Sequence, residues 1–187
     1  MGSSRPRGAD TPTRALAAAA EALDPPYRMR GDATPSGVEL FDPNGDLPDA
    51  RLSLARDRRL FSRTFALVVT AEVHGAGPER YGLLRFHQAR LRRRGELRWE
   101  PPAETPTAWI ERFTEAGLVK GATTMTNVSS LTVLRTPETL SWRLELRTLA
   151  GALIGTGPGS SVAIPLEPED VEGLLAVLRA LVLVVES

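Results

Sequence analysis

Two histidines, one glycine-rich run and a scatter of serines and carboxylates are the residues here whose chemistry could act on a substrate. His74 closes an alternating apolar stretch beside Gly75, and His87 lies among arginines. Neither has a second histidine at helical spacing or a flanking pair of acids, so the pattern offers no metal site. The run Gly155-Thr156-Gly157-Pro158-Gly159-Ser160-Ser161 has enough glycine to cradle a phosphate. A cradle also needs inward backbone N–H groups with a helix start behind them. Here the Walker lysine is missing, Pro158 removes a donor and a short strand follows, so a flexible hairpin loop is expected. Ser53, Ser62, Ser129, Ser130 and Ser141 lack the Gly-x-Ser-x-Gly elbow, although a Ser–His–Asp set assembles only in space. Glu167, Glu169 and Asp170 open a helix, where capping and the helix dipole account for them. Asp42-Pro43-Asn44-Gly45-Asp46 reads as a turn, without the alternating acids and closing Glu of a calcium loop. The expectation is no catalytic residue, no metal and no cofactor, with enzymatic function the less supported reading.

Absence of cysteine removes disulfides, thiol catalysis and cysteine-held metals together, and fits a reducing compartment. The first residues carry no secretory apolar core, since Ala17–Ala20 is short and meets Glu21. Leu174–Val185, the longest apolar stretch, is broken by Arg179 and falls short of the ~20 residues a membrane span needs. A cytoplasmic chain without a membrane partner is expected.

Charge is the more informative signal. The 187 residues sum to zero net charge, but the zero is composite. Residues 1–50 hold five Arg against eight acids, residues 51–98 hold twelve Arg against four, and residues 99–187 hold six basic groups against eleven acids. The middle third therefore carries the positive charge, in a cluster with Arg56, Arg58 and Arg59 and another with Arg85, Arg90, Arg92, Arg93, Arg94 and Arg98. Such segregation points either to an anionic partner or to acids elsewhere in the same fold. Lys120 is the single lysine, and GC-rich coding explains that bias without any ligand.

The elements that must position these groups follow from periodicity and breakers. Residues 1–10 are polar and basic and are expected to form a disordered tail, leaving 11–187 as one domain. Thr11 caps a helix through Leu23, with Pro12 in its first turn. Thr34-Pro35-Ser36-Gly37 turns between two short extended pieces within Tyr27–Phe41. In Leu60–His74, Phe65, Leu67, Val69, Ala71 and Val73 share one face by period two, the clearest strand signal in the chain. Ala66 and Val68 on the other face predict partial cover there too. Strands are expected at Tyr81–Leu91 and Glu96–Glu100, joined through Arg92-Arg93-Arg94-Gly95. A helix from Thr105 to Ala116 ends at Gly117. Strands follow at Thr123–Arg135 and Leu140–Leu149, with apolar Ala150–Ile154 able to extend the second, and a short one at Val162–Ile164. Pro168 opens a final helix with acids in its first turn and apolar residues nearly all round. This order predicts an α+β fold: a mainly antiparallel sheet of about six to eight strands with three helices packed on one side.

Three function classes remain. A non-catalytic protein-interaction or accessory module, self-associating or binding a protein partner, would use Leu174, Leu178, Leu181, Val182 and Val185 of the final helix unless that helix is buried. A nucleic-acid-binding protein would use the Arg-rich hairpin, residues 80–99, with Phe86 and Trp99 as stacking platforms beside its arginines and with Arg56, Arg58 and Arg59 nearby. A small-molecule-binding protein or enzyme would need a pocket that only shape defines. The first is the leading expectation.

Overall fold

Alternating apolar residues set the architecture. The computed structural model describes residues 11–56, 63–75, 82–88, 97–100, 107–125, 128–136, 140–157 and 160–186. Its elements, in chain order, are α1 (Thr11–Ala22), β1 (Arg28–Met29), β2 (Val38–Phe41), β3 (Ala50–Arg56), β4 (Arg63–His74), β5 (Gly82–Gln88), β6 (Leu97–Glu100), α2 (Thr107–Glu115), α3 (Leu118–Thr124), β7 (Val128–Thr136), β8 (Ser141–Gly157), β9 (Ser160–Ala163) and α4 (Pro168–Glu186). All nine strands join one antiparallel sheet in the order β1-β2-β3-β4-β8-β7-β5-β6, with β9 pairing the far half of β8. The α+β class and the antiparallel sheet are as expected, with one strand and one helix more.

Leu52 of β3, Leu67 and Val69 of β4, Leu131 and Val133 of β7, and Leu144 and Leu146 of β8 occupy one face by the two-residue pleat. Residues from all four helices complete that single core, including Leu16, Phe113, Leu118 and Leu178. The helices therefore lie on one side of the sheet. Trp142, nearly fully buried, joins α2 to β8: its ring meets Phe113 edge-on at 5.3 Å and Trp109 at 4.9 Å in tilted contact. On the other face Ala66 and Val68 are also buried, so that side too is covered near the start of β4.

α4 is held close to α3 by the absence of side chains. A Cβ on Gly173 would sit 2.6 Å from the Gly121 carbonyl oxygen, and one on Gly121 would sit 2.9 Å from that of Gly173. Backbone thus meets backbone at the crossing. The start of α4 is capped as expected from its acids. The Asp170 carboxylate accepts the Glu167 N–H at 3.2 Å, while the Glu167 carbonyl accepts the N–H of Asp170 and of Val171.

Three local readings need correction. β3 lies where only an arginine cluster was read. Its Ala50, Leu52 and Leu54 pair with Ala71, Val69 and Leu67 of β4, and the intervening Arg51 and Ser53 fall on the opposite face. α3 occupies the residues where a strand was to begin at Thr123. The strand starts at Val128 instead, and the Thr123 and Thr124 hydroxyls donate back to the Lys120 carbonyl at 2.7 and 3.1 Å. The glycine-rich run is strand on both sides rather than a long loop: β8 reaches Gly157, which pairs with Ser160 of β9. Gly155 and Gly157 pair with Ser161 and Ser160, which engages the described part of this backbone in the sheet; Pro158 and Gly159 lie outside the described residues. Gly117, with φ +88°, ends α2 as read from sequence.

Tyr27, completely buried, ties the first hairpin to the body by donating its hydroxyl to the Pro48 carbonyl at 2.7 Å. Burial, then the negative charges of Asp42 and Asp49, push its phenol well above the ordinary value, against a smaller opposing pull from Arg179. The folded chain therefore holds this proton more tightly than the unfolded chain. Stability is full below the unfolded value of about 10 and falls as pH rises above it. Tyr27→Phe should cost about 1 kcal/mol at neutral pH, through the lost hydrogen bond. It should also flatten the alkaline decline of the urea midpoint; an equally steep decline in the variant would assign that loss to another group.

Candidate functional site

The pleat that sends apolar residues toward the helices sends charged ones to the opposite face. Across the ladder, Glu39 of β2 pairs with Arg51 of β3, Arg51 with Thr70 of β4, Thr70 with Glu145 of β8, and Glu145 with Thr132 of β7. One step along β4 and β8, Glu72 pairs with Arg143. These residues form a polar face of mixed sign. Glu39, Asp49, Arg51, Thr70, Glu72 and Arg143 help line a concavity of about 310 Å³ in it.

Neutralisation on this face is partial. Arg51 Nη1 donates to Glu39 Oε1, 2.6 Å apart, while its Nη2 reaches the Ser36 carbonyl at 3.0 Å. Arg147 donates from Nε and Nη2 to Glu145 Oε1, both at 2.8 Å. Glu72 and Arg143, though opposite each other in register and both exposed, make no ion pair among the described residues. These exposed pairs contribute little stability in any case. What they set is a pattern of charge.

The arginines singled out from sequence divide into three groups. Arg56 is exposed at the end of β3 and pairs with no acid among the described residues. Arg85 stands in register with Glu100 and Thr132, and Arg98 with His87. Arg58, Arg59, Arg90, Arg92, Arg93 and Arg94 lie outside the described residues. Phe86 pairs with Trp99 on one side and with the core residue Leu131 on the other. Their strands, β5 and β6, end the sheet; the Arg-rich turn between them lies outside the described residues.

The proposed interface residues of α4 are mostly taken up by the chain itself. Leu174, Leu178 and Leu181 are fully buried and Val185 nearly so, which is the buried alternative for this helix. An all-round apolar helix lies under α3 and against the sheet because neither side alone could cover it. Val182 is half-buried. Leu183 is 61% exposed, and shares a shallow recess with Lys120, Glu172 and Arg179.

His74 is exposed at the end of β4, in register with Ser141. Asp42 turns its carboxylate onto its own loop, accepting the N–H groups of Asn44, Asp46 and Leu47 at 2.9, 3.0 and 3.1 Å. A carboxylate so engaged with donors is a structural turn former rather than a cation ligand. Among the described residues no three His, Asp or Glu side chains converge on a metal position, and no helix is long and apolar enough to cross a membrane.

Fold and surface together define the class as an α+β protein whose sheet is covered by helices on one face and carries charged residues along part of the other. No protein-family model matches the sequence, and no curated protein or solved structure matches it either.

Proposed function

We propose that the chain is a non-catalytic interaction module that receives a protein partner, first of all a second copy of itself, on the charged face of its sheet. The observation that carries this reading is the adjacency of Glu72 and Arg143, opposite in sign, exposed and unpaired with each other. A two-fold interface is self-complementary when residue i of one copy meets residue j of the other. Two such faces brought together would match each Glu72 with an Arg143. Nucleic acid is less well served there, because its phosphates would meet Glu39, Asp49 and Glu72 along with the arginines.

Sedimentation of the purified chain over a rising concentration series, at low and high salt, tests the reading. The expected result is a monomer–dimer equilibrium that weakens with salt. Glu72→Arg and Arg143→Glu should each weaken it about tenfold, equivalent to ~1.4 kcal/mol, and the double exchange should restore it. A monomer at every concentration, or a double variant no better than the singles, would sink self-association on this face.

A further inference from the structure

β7 carries one residue of the wrong chemistry on its apolar face. Leu131, Val133 and Arg135 share the pleat that points to the helices, and Arg135 is only 3% exposed. Neither its Nε nor its Nη1 meets an acceptor among the described residues. Guanidinium stays charged in any protein environment, so burial cannot be relieved by losing a proton. A buried guanidinium with two donors unmet among the described residues is unfavourable. An anion that accepted from those donors would relieve the cost.

The neighbours of Arg135 restrict what that anion is. On one side of the ladder it pairs with Trp142, and directly opposed strand residues hold their Cβ atoms about 5 Å apart. On the other side it pairs with Gly82, which contributes no side chain to fill the position. Trp142 in turn touches Trp109 and Phe113 of α2, and Trp109 is half-buried, so the aromatic group extends from Arg135 toward the surface. A rigid planar fork of N–H donors on the strand position beside Trp142 suits a carboxylate on an apolar body. A hydrated phosphate would gain nothing from the rings.

We infer that Arg135 is the anchor of a binding site, between the sheet and α2, for a small apolar or aromatic carboxylate. The site faces the helices, on the side of the sheet away from Glu72 and Arg143, so the interaction reading and this one stand or fall separately.

Acetate, hexanoate and benzoate, with inorganic phosphate beside them at matched ionic strength, are the probes. Binding is read by tryptophan fluorescence, to which Trp142 and Trp109 contribute, and by thermal melting. Saturable binding is expected, hexanoate and benzoate tighter than acetate, with at least about tenfold lost in Arg135→Met. Trp109→Ala, on the outer side of the aromatic group, should reduce the advantage of benzoate over acetate while leaving acetate binding in place. It serves as the second variant if Arg135→Met does not fold. No response in the wild type, an equal response in Arg135→Met, or phosphate binding tighter than benzoate would each overturn the inference. Arg135→Met that simply melts higher, with no carboxylate effect on the wild type, would mark the arginine as a burden on the core.

Discussion

Trp142→Ala should lower the unfolding free energy by about 3–5 kcal/mol, the largest single loss expected in the molecule. Trp142 is among the largest side chains that are fully buried, and its ring is shared between two elements, Phe113 and Trp109 of α2 on one side and β8 beneath. Truncation removes the transfer free energy of the ring and opens a cavity that the β4–β8 and β7–β8 ladders prevent from collapsing. The aromatic contacts add roughly 0.5–1.5 kcal/mol beyond the area they cover. Against a total stability of about 5–15 kcal/mol for a domain, such a loss is a large fraction. The urea midpoint should fall with an unchanged slope, which signals lost stability rather than a changed unfolded state. Trp142→Phe, which keeps a ring in place, should lose well under half as much. A small effect of Trp142→Ala would mean that α2 is not docked on β8.

Gly173→Ala carries the second largest expectation, and its sign is the test. In an unobstructed helix the exchange would stabilise by about 1 kcal/mol through helix propensity. Here the added carbon would stand 2.6 Å from both the Gly121 carbonyl oxygen and the Met125 side chain. Met125 can turn aside, but a helix carbonyl cannot. α3 and α4 would have to separate, and overpacking of this kind costs about 1–3 kcal/mol. Denaturant titration should therefore give a net loss of about 1 kcal/mol. Gly121→Ala strikes the same crossing at 2.9 Å. Once one substitution has moved the helices apart the second meets less resistance, so the pair should cost less than its sum. A stabilised Gly173→Ala would show that the two backbones do not touch.

The parts of the fold that were legible in the sequence were those where one signal was unopposed. β4 alternates without a breaker. The acids and Pro168 at the start of α4 announce a helix start, and Thr34–Gly37 announces a turn that the structure forms with a Thr34–Gly37 bridge. β3 was hidden because its solvent face is arginine, serine and alanine, so its charges mask the Ala50, Leu52, Leu54 alternation. α3 was hidden for the opposite reason. Leu118–Thr124 contains Gly121 and two threonines, poor helix formers that no local rule would favour. It is a helix because Gly121 permits close packing on α4, a tertiary effect invisible in a window of seven residues.

Site residues were less legible than the fold. Burial of Leu174, Leu178 and Leu181 depends on α3, which the sequence did not reveal. Pairing of Arg51 with Glu39 depends on register, which no single strand specifies. Arg135 left a trace that could have been followed, as the third residue on the same pleat as Leu131 and Val133. An arginine at an apolar parity is a stronger flag than an arginine in a cluster. The clusters that dominate the composition lie partly where acids stand opposite them.

The long β8 strand also governs how the chain comes together during synthesis. β4 finds its central partner only when residues such as Glu145 and Gly155 have left the ribosome, well after Thr70 and Arg63, to which they pair. Until then the N-terminal meander presents an open, strand-compatible margin on β4, available to any neighbouring nascent chain. Non-local pairing of this kind slows folding and exposes sticky edges along the way. The β1–β4 half of the sheet has one unsatisfied side until the last third of the protein arrives, so the molecule closes from its middle outward and late.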